Sequence, residues 1–285
     1  MFRIGVVADS FRRGFRENVR AAAECGAEGV QLYATKGEFS PDALDTKEKR
    51  REALDYIRSQ GLVVSALCGD FGKGFWRTET NRELIDRSKR ILDMALDFDC
   101  TVVTTHIGVV PSDKSDPRYG IMLGACTELA EYGQKIGASF AVETGPEKSE
   151  TLRDFILDTG ASGLRVNLDP ANLAMVIGED SVHAAKVLGP LAVHTHAKDG
   201  VMLKKGDPEV IYGIKQPPEG SVGEKYFKEV PLGQGAVGFP RYLRALRDSG
   251  FDGFLTIERE VGEDPAADIR MAVGFLKDIL ADMKE

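Results

Sequence analysis

Residues 139–143 read SFAVE, and three later runs follow the same pattern: LRVNLD (164–169), LAVHTH (191–196) and FLTIE (254–258). Each is rich in Val, Ile, Leu or Phe, which is typical of a strand buried on both faces in a parallel sheet. The runs end on Glu143, Asp169, His196 and Glu258. In a closed barrel, the C-terminal ends of neighbouring strands open into one mouth. The four runs therefore predict four polar side chains that converge at one end of a barrel.

Four more apolar runs precede these and bring the number of predicted strands to eight. They are IGVVA from Ile4, GVQLYA from Gly29, LVVSAL from Leu62 and TVVTTHIG from Thr101. Amphipathic stretches of helical period lie between the runs, and several end in a glycine suited to a left-handed helix cap: Gly61, Gly137, Gly160 and Gly250. Eight strands alternating with helices predict a single (β/α)8 TIM barrel over residues 1–285. An open doubly wound sheet is disfavoured because no GxGxxG motif follows the first strand.

The composition of the chain narrows the class of protein. Its 285 residues carry a formal net charge of -8, which argues against a surface that neutralises the phosphates of a nucleic acid. No apolar run approaches the length needed to cross a membrane, and the four cysteines form no CxxC pair. These features predict a cytoplasmic protein with reduced cysteines that acts on a small molecule. They leave its oligomeric state open, a homo-oligomer included.

Three carboxylates and one imidazole in a single mouth would repel one another unless a positive charge lay between them. Carboxylate and imidazole are ordinary ligands for Mn²⁺, Co²⁺, Zn²⁺ or Mg²⁺. The sequence therefore predicts one divalent ion held by Glu143, Asp169, His196 and Glu258. The alternative is a polar mouth that holds no metal.

Other residues are predicted to line the same mouth and contact a substrate. Because side chains two apart on a strand share a face, His106 points into the barrel, and His194 lies one layer below His196. Trp76 follows the third strand and can stack on a sugar face, while Lys198 can either hold substrate or close a salt bridge.

The interval from Gly200 to Gly238 breaks the alternation of strand and helix. It is rich in Gly, Pro and Lys, and it directly follows the strand that carries His196. A long irregular excursion at this point is typical of an active-site loop. We expect it to help cover the bound substrate, the alternative being an insertion without contact to the site.

Several motifs carry a resemblance to a known family. They are VETG (142–145), NLDPAN (167–172), HTHAKDG (194–200) and the long segment PLGQGAVGFPRYLRALRDSGFDGFLTIERE (231–260). With these motifs the chain resembles, over essentially its whole length, the sugar phosphate isomerase/epimerase family with the xylose-isomerase-like barrel. The HxKD and FxGxLTIERE segments are the most specific parts of the resemblance.

The resemblance implies the roles of several residues. It implies that Glu143, Asp169, His196 and Glu258 hold one divalent metal and, in the ketose 3-epimerase branch, that Glu143 and Glu258 form the acid/base pair. In that branch a substrate-contacting histidine commonly stands three residues after the metal-binding aspartate, where this chain has Asn172. At this position the resemblance therefore implies a substrate contact by the amide of Asn172 in place of a histidine.

The predicted function is a metal-dependent sugar isomerase or epimerase. A cation that bridges a carbonyl and its neighbouring hydroxyl stabilises the enediolate formed when the carbon proton leaves, and a carboxylate on each face can take and return that proton. Loss of a β hydroxyl would instead give a lyase or dehydratase, a reaction that the resemblance also includes through inosose dehydratase-like relatives. A non-catalytic sugar-binding barrel is a further alternative. An apurinic endonuclease is disfavoured because the chain is acidic and has four histidines in all.

Overall fold

A computed structural model describes residues 2–283 and has ten strands. They are β1 (Arg3–Val7), β2 (Gly29–Tyr33), β3 (Val63–Cys68), β4 (Val102–Thr105), β5 (Ser139–Glu143), β6 (Leu164–Leu168), β7 (Ala192–Ala197), β8 (Asp199–Met202), β9 (Phe227–Val230) and β10 (Phe254–Ile257). All strands except β8 and β9 form a closed parallel barrel in chain order, with β10 completing the ring between β7 and β1. The prediction of a single (β/α)8 barrel is confirmed.

Helices follow the barrel strands and pack around them. They are α1 (Phe15–Glu24), α2 (Lys47–Ser59), α3 (Thr78–Asp97), α4 (Pro117–Ile136), α5 (Ser149–Asp158), α6 (Pro170–Val176), α7 (Ser181–Leu188), α8 (Pro208–Ile211), α9 (Phe239–Asp248) and α10 (Pro265–Asp282). The four glycines expected at helix ends all have positive φ, between 65° and 95°, so that part of the prediction is confirmed. Among the described residues, no helix is both long and apolar enough to cross a membrane.

Alternation along the barrel strands sorts side chains between the two faces as the sequence predicts. Thr195 points outward, where its hydroxyl lies 2.8 Å from that of Tyr242 on α9. Its neighbour His196 points inward and is almost completely buried. This alternation places the polar residues at the strand ends inside the barrel rather than under the helices.

The excursion from Gly200 to Gly238 has more structure than its composition indicates. Its flanks form the antiparallel pair β8 and β9, and α8 lies between them. The carboxylate of Asp199 accepts hydrogen bonds from the backbone amides of Gly200, Gly233, Gly235 and Val237. One carboxylate therefore holds both ends of the excursion together. The sequence missed the pairing because neither four-residue strand is long enough to give a clear period.

Tight packing between the helical layer and the barrel makes one glycine a structural requirement. A methyl group on Gly163, just before β6, would collide with the carbonyl oxygen of Ala130 in α4. Gly124 in the same helix faces open space. We predict that Gly163→Ala destabilises the protein by about 1–3 kcal/mol, the usual cost of overpacking.

The matched change Gly124→Ala should stabilise the protein by about 0.5–1 kcal/mol, because alanine favours a helix interior. Urea denaturation followed by circular dichroism compares the two variants. Equal midpoints would show that the close approach of α4 to Gly163 does not affect the free energy of unfolding.

Candidate metal centre

Four side chains meet at the C-terminal end of the barrel. Glu143, Asp169, His196 and Glu258 each offer one ligand atom, and these atoms all lie within 4.8 Å of one another. The Nδ1 atom of His196 lies 3.4 Å from a carboxylate oxygen of Glu143, 3.6 Å from Asp169 Oδ2 and 3.4 Å from Glu258 Oε2. All four residues are buried. The convergence at one mouth that the sequence predicted is present.

The two carboxylate oxygens of Asp169 have different roles, one in capping a helix and one in the cluster. Its Oδ1 accepts the amides of Ala171 and Asn172 and so caps α6. Its Oδ2 is buried without a hydrogen-bond partner and faces His196. The Asp-Pro pair at the end of β6 therefore explains why the helix starts here and leaves one carboxylate oxygen free for a ligand.

His196 is oriented by Gln31, a residue that the sequence analysis did not select. The Nε2 atom of His196 lies 3.1 Å from Gln31 Oε1, while the amide nitrogen of Gln31 donates to Thr104. The side-chain nitrogen of Asn167 lies 3.2 Å from the same Nε2, so Gln31 and Asn167 together hold the ring with Nδ1 turned toward the carboxylates. Nδ1 is buried and has no hydrogen-bond partner. A polar residue in the middle of the apolar run GVQLYA was the signal that could have identified Gln31.

The residues present fit a divalent ion. Two buried atoms, Asp169 Oδ2 and His196 Nδ1, lack partners and lie in the middle of a cluster of carboxylates. Burial disfavours a charged His196, yet Glu258 and Glu143 outweigh this effect and raise its pKa well above the ordinary value. The site therefore favours a positive charge next to Nδ1, and a set of three carboxylates and one imidazole suits Mn²⁺, Co²⁺, Zn²⁺ or Mg²⁺.

The two glutamates differ in their other partners. Glu143 accepts hydrogen bonds from the side-chain amides of Asn172 at 2.9 Å and Asn167 at 3.3 Å. Glu258 accepts from the ammonium of Lys198 at 2.9 Å. Burial opposes ionisation of both carboxyls, but the nearby cationic and imidazole groups prevail and hold both pKa values below the ordinary range. Both glutamates are therefore poised as carboxylates.

Of the residues predicted to contact a substrate, His106, Asn172 and Lys198 line a cavity of about 210 Å³ over the cluster, which we call the central cavity. His106 Nε2 lies 3.6 Å from Glu143 Oε1. His194 does not line this cavity. It is almost completely buried, and its ring lies 5.9 Å from that of His196. Its position two residues earlier on β7 puts it a layer deeper, so the structure does not bring it to the substrate-binding surface.

Trp76 lies beside the central cavity rather than in it. It lines a neighbouring cavity of about 380 Å³, which we call the side cavity. The two cavities share Asp70, His106 and Tyr212 as lining residues. The loop after β3 therefore brings Trp76 next to the central cavity instead of over the four-residue cluster.

The excursion supplies part of the wall of the central cavity. Ile211, Tyr212 and Phe227 line it, and the Tyr212 ring packs edge-on against His106 with centroids 5.7 Å apart. The sequence predicted that the excursion lies near the site but did not identify these residues, because the excursion has no periodic pattern that would orient its side chains. That the excursion covers a bound substrate stays a prediction.

A buried carboxyl lies close in sequence to the cluster but does not line the central cavity. Glu147 accepts the amide of Val110 at 3.3 Å, and burial raises its pKa to about 8. Between its ordinary pKa and 8, the unfolded chain releases the proton while the folded protein keeps it. The stability contributed by this group is therefore lost as pH rises through that window.

We predict that Glu147→Gln, which keeps an acceptor for Val110, makes the protein more stable at pH 8. Each unit of pKa difference corresponds to roughly 1.4 kcal/mol, so the gain at pH 8 amounts to a few kcal/mol. It should vanish near pH 4. Denaturation midpoints across this range measure the difference, and a difference independent of pH would contradict a protonated Glu147.

Comparisons with known proteins agree with this architecture. The family model described as xylose isomerase-like TIM barrel matches residues 19–279. The L-ribulose-5-phosphate 3-epimerase UlaE of Escherichia coli is 24% identical over 297 residues, covering 93% of each chain.

Among solved structures, a xylose isomerase domain protein from Planctomyces limnophilus superposes with a TM-score of 0.77 at 24% identity, covering 98% of this chain and 96% of the other. The probable 3-DHS dehydratase AsbF from Bacillus anthracis, involved in petrobactin synthesis, gives a TM-score of 0.75 at 19% identity, with 97% and 99% coverage. At these identities the structural likeness shows the fold alone.

Proposed function

The chain belongs to the xylose isomerase-like TIM-barrel family, and from this premise we propose that it is a divalent-metal-dependent sugar epimerase or isomerase that moves a proton next to a carbonyl group. The similarity to a ribulose-phosphate 3-epimerase over 93% of both chains supports a carbohydrate substrate. The family alone fixes neither the sugar nor the reaction, so the proposal depends on the site.

The observation that carries the proposal is the position of two carboxylates on either side of one buried cluster. Glu143 ends β5 and Glu258 follows β10, with β6 and β7 between them in the ring. In a ring of eight strands they reach the centre from nearly opposite directions. A substrate carbon held between them is accessible to one carboxylate on each face.

Glu143, Asp169, His196 and Glu258 would hold the ion. A divalent ion at this place polarises a carbonyl oxygen and stabilises negative charge on it. Asp169 and His196 are suited to holding it, since Asp169 Oδ2 and His196 Nδ1 have no other partner. Gln31 and Thr104 fix the ring of His196 from behind, as supporting partners of metal-binding histidines commonly do.

The two glutamates would carry the proton. Epimerisation needs one carboxylate to accept the proton from the carbon and a carboxylic acid on the other face to return one. Lys198 donates to Glu258 and favours its ionised form, which suits Glu258 to accept a proton. Glu143 is bonded to neutral amides rather than to a cation, so protonation of its carboxylate would leave no hydrogen-bonded cation unpaired. The roles exchange in the reverse direction.

Neutral and cationic groups around the central cavity would orient the sugar hydroxyls. His106, Asn172 and Lys198 line the cavity with polar atoms, and Tyr212 closes it from the excursion. At about 210 Å³ the cavity suits one monosaccharide unit rather than a polymer.

A lyase or dehydratase is the second candidate, because Lys198 is a cation beside Glu258 and can donate a proton to a departing hydroxyl, which leaves as water. Glu258 would then take the carbon proton without its return by Glu143. The product distinguishes the two reactions, since elimination leaves an unsaturated compound and epimerisation leaves an isomer of the substrate.

We predict that the purified protein binds one divalent ion in the cluster. Asp169→Ala and His196→Ala should each weaken binding of Mn²⁺ or Co²⁺ by at least the 10- to 100-fold that follows from losing even a supporting partner. Isothermal titration of the metal-free protein measures this loss without reference to activity.

His183→Ala is the matched control. His183 lies with Glu150 and Glu179 in a second group whose ligand atoms also lie within 4.8 Å of one another, and its Nε2 is 2.7 Å from Glu150. Unchanged binding is expected in this variant. If His183→Ala abolishes binding while His196→Ala retains it, the ion belongs to the surface group and the proposed centre is wrong.

We predict that Glu143→Gln and Glu258→Gln each lower turnover of a ketose by the 10²- to 10⁴-fold typical of losing a general base. Each change removes a proton carrier and keeps a side chain of similar shape. Metal content is measured on the same samples, so that a variant that lost its ion is not counted. Glu150→Gln on the surface serves as the control and should retain full activity.

The fate of the proton tests the same mechanism. Reaction of the wild-type protein in D₂O should place solvent deuterium at the inverted carbon, because the returning carboxylic acid exchanges with water. Inversion without deuterium, or full activity in both metal-loaded Gln variants, excludes the two-carboxylate mechanism. An unsaturated product assigns the protein to the lyases.

A further inference from the structure

The side cavity adjoins the central cavity and has a different charge. Its floor and walls come mainly from the loop after β3, with Lys73, Trp76 and Arg77 among them. Asp70, His106 and Tyr212 line both cavities, so the two adjoin at these side chains. The side cavity is therefore the neighbouring space for a molecule whose reacting end lies in the central cavity.

Two cations in the side cavity have no acidic partner. Within residues 2–283, the side chains of Lys73 and Arg77 form no salt bridge, and Arg77 instead lies over the Trp76 ring, 4.1 Å from its centroid. Asp70 is the one carboxylate that lines this cavity, and its Oδ1 accepts the amide of Gly72 at 2.8 Å. The side cavity is therefore net positive in a chain whose net charge is -8.

The other cavities around the mouth lack this excess. The central cavity contains Lys198 against four carboxylates, those of Asp70, Glu143, Glu258 and Glu260. On the opposite side, a cavity of about 520 Å³, the outer cavity, contains four cations and four carboxylates. Its Arg12 and Arg259 are already engaged, with backbone carbonyls and with Glu229 and Asp268 respectively. Of these three cavities, the side cavity is thus the one whose lining has more cations than carboxylates.

The start of α3 lies beside the same cavity. Arg77 precedes the helix, and no side chain caps its first turn. The first amides of a helix lack partners within it, and its dipole is positive at this end. Arg77 and Thr80 line the side cavity, and the Thr80 amide already donates to the Arg77 carbonyl, so this helix end adds the positive end of its dipole to the two side-chain cations.

We propose that the side cavity binds the phosphate group of a phosphorylated sugar whose carbonyl end lies at the metal cluster, with Lys73 and Arg77 as the phosphate-binding side chains. The inference rests on the proposed function and specifies its substrate class. A phosphate monoester carries close to two negative charges at neutral pH and is matched by two cations, whereas a carboxylate would leave one of them unpaired. Arg77 has the planar fork that binds phosphate through two oxygens, and Lys73 supplies a point charge.

The chain contains its own reporter for this site. Trp76 is its only tryptophan, and an anion that draws the Arg77 guanidinium away from the ring changes its emission. Titration of the metal-free protein with inorganic phosphate, and then with ribulose 5-phosphate, should give a saturable change in fluorescence. Free ribulose at the same concentrations should give none.

Lys73→Met tests the assignment, because it removes one cation and leaves the stacked pair of Arg77 and Trp76 in place. It should weaken phosphate binding roughly tenfold or more, as the loss of a charge-assisted contact does. Lys36→Met is the matched control, since Lys36 lines the outer cavity, and it should bind phosphate as the wild type does. In turnover, Lys73→Met should raise KM for a ketose phosphate by the same factor and leave kcat unchanged.

The outcomes separate this inference from the function on which it rests. A saturable response that Lys73→Met weakens supports the phosphate site even in a protein without epimerase activity. Activity on free ketoses with no response to phosphate overturns the site and leaves the proposed function standing. Equal losses in Lys73→Met and Lys36→Met overturn it as well. If a sugar acid binds more tightly than a sugar phosphate, the side cavity is a carboxylate site and the phosphate assignment is wrong.

Discussion

The mutual repulsion of three buried carboxylates is the constraint on which the rest of this structure depends. Glu143, Asp169 and Glu258 converge on His196 with little contact to solvent, an arrangement that costs free energy unless positive charge compensates it. The surrounding residues all reduce that cost. Asn167 and Asn172 donate to Glu143, the amides of α6 donate to Asp169, and Lys198 donates to Glu258. Each carboxylate nevertheless keeps an oxygen near the centre, where a cation is the remaining means of compensation.

The same constraint connects the barrel to chemistry. A parallel barrel brings strand ends together whatever their sequence. The fold therefore brings the four side chains close to one another, and the residue types at the strand ends determine the charge there. Gln31 shows how far the design extends beyond the cluster, because an uncharged amide on β2 decides which nitrogen of His196 faces the carboxylates. The donor atoms are held by residues on rigid strands, which keeps the cluster in place before any ligand arrives.

Sequence patterns predicted the parts of this molecule that repeat. Apolar runs separated by amphipathic stretches define the barrel, and the period of two along each strand separates Glu143 and His196 from outward neighbours such as Thr195. Sequence patterns did not predict features that occur only once in the chain. Tyr212 enters the central cavity because the excursion folds back through β8 and β9, a pairing between segments about 25 residues apart that no local pattern encodes. The rise along the strand correctly placed His194 one layer below His196, but it does not show how deep a cavity reaches, and the structure leaves His194 outside the central cavity.

The way Asp199 secures the excursion has a consequence for how such proteins diversify. A single carboxylate gathers amides from the start and the end of the segment, and the hairpin it supports lies outside the barrel hydrogen bonding. The stretch between these fixed points includes Tyr212 and is tied to the barrel layer by side-chain contacts such as the ion pair of Glu209 with Arg118 on α4 rather than by barrel strand pairing. Mutation and insertion there alter the wall of the central cavity, to which Ile211 and Tyr212 contribute, while the strand ends that carry the four-residue cluster keep their places, so variation in this segment can change which molecules the cavity admits.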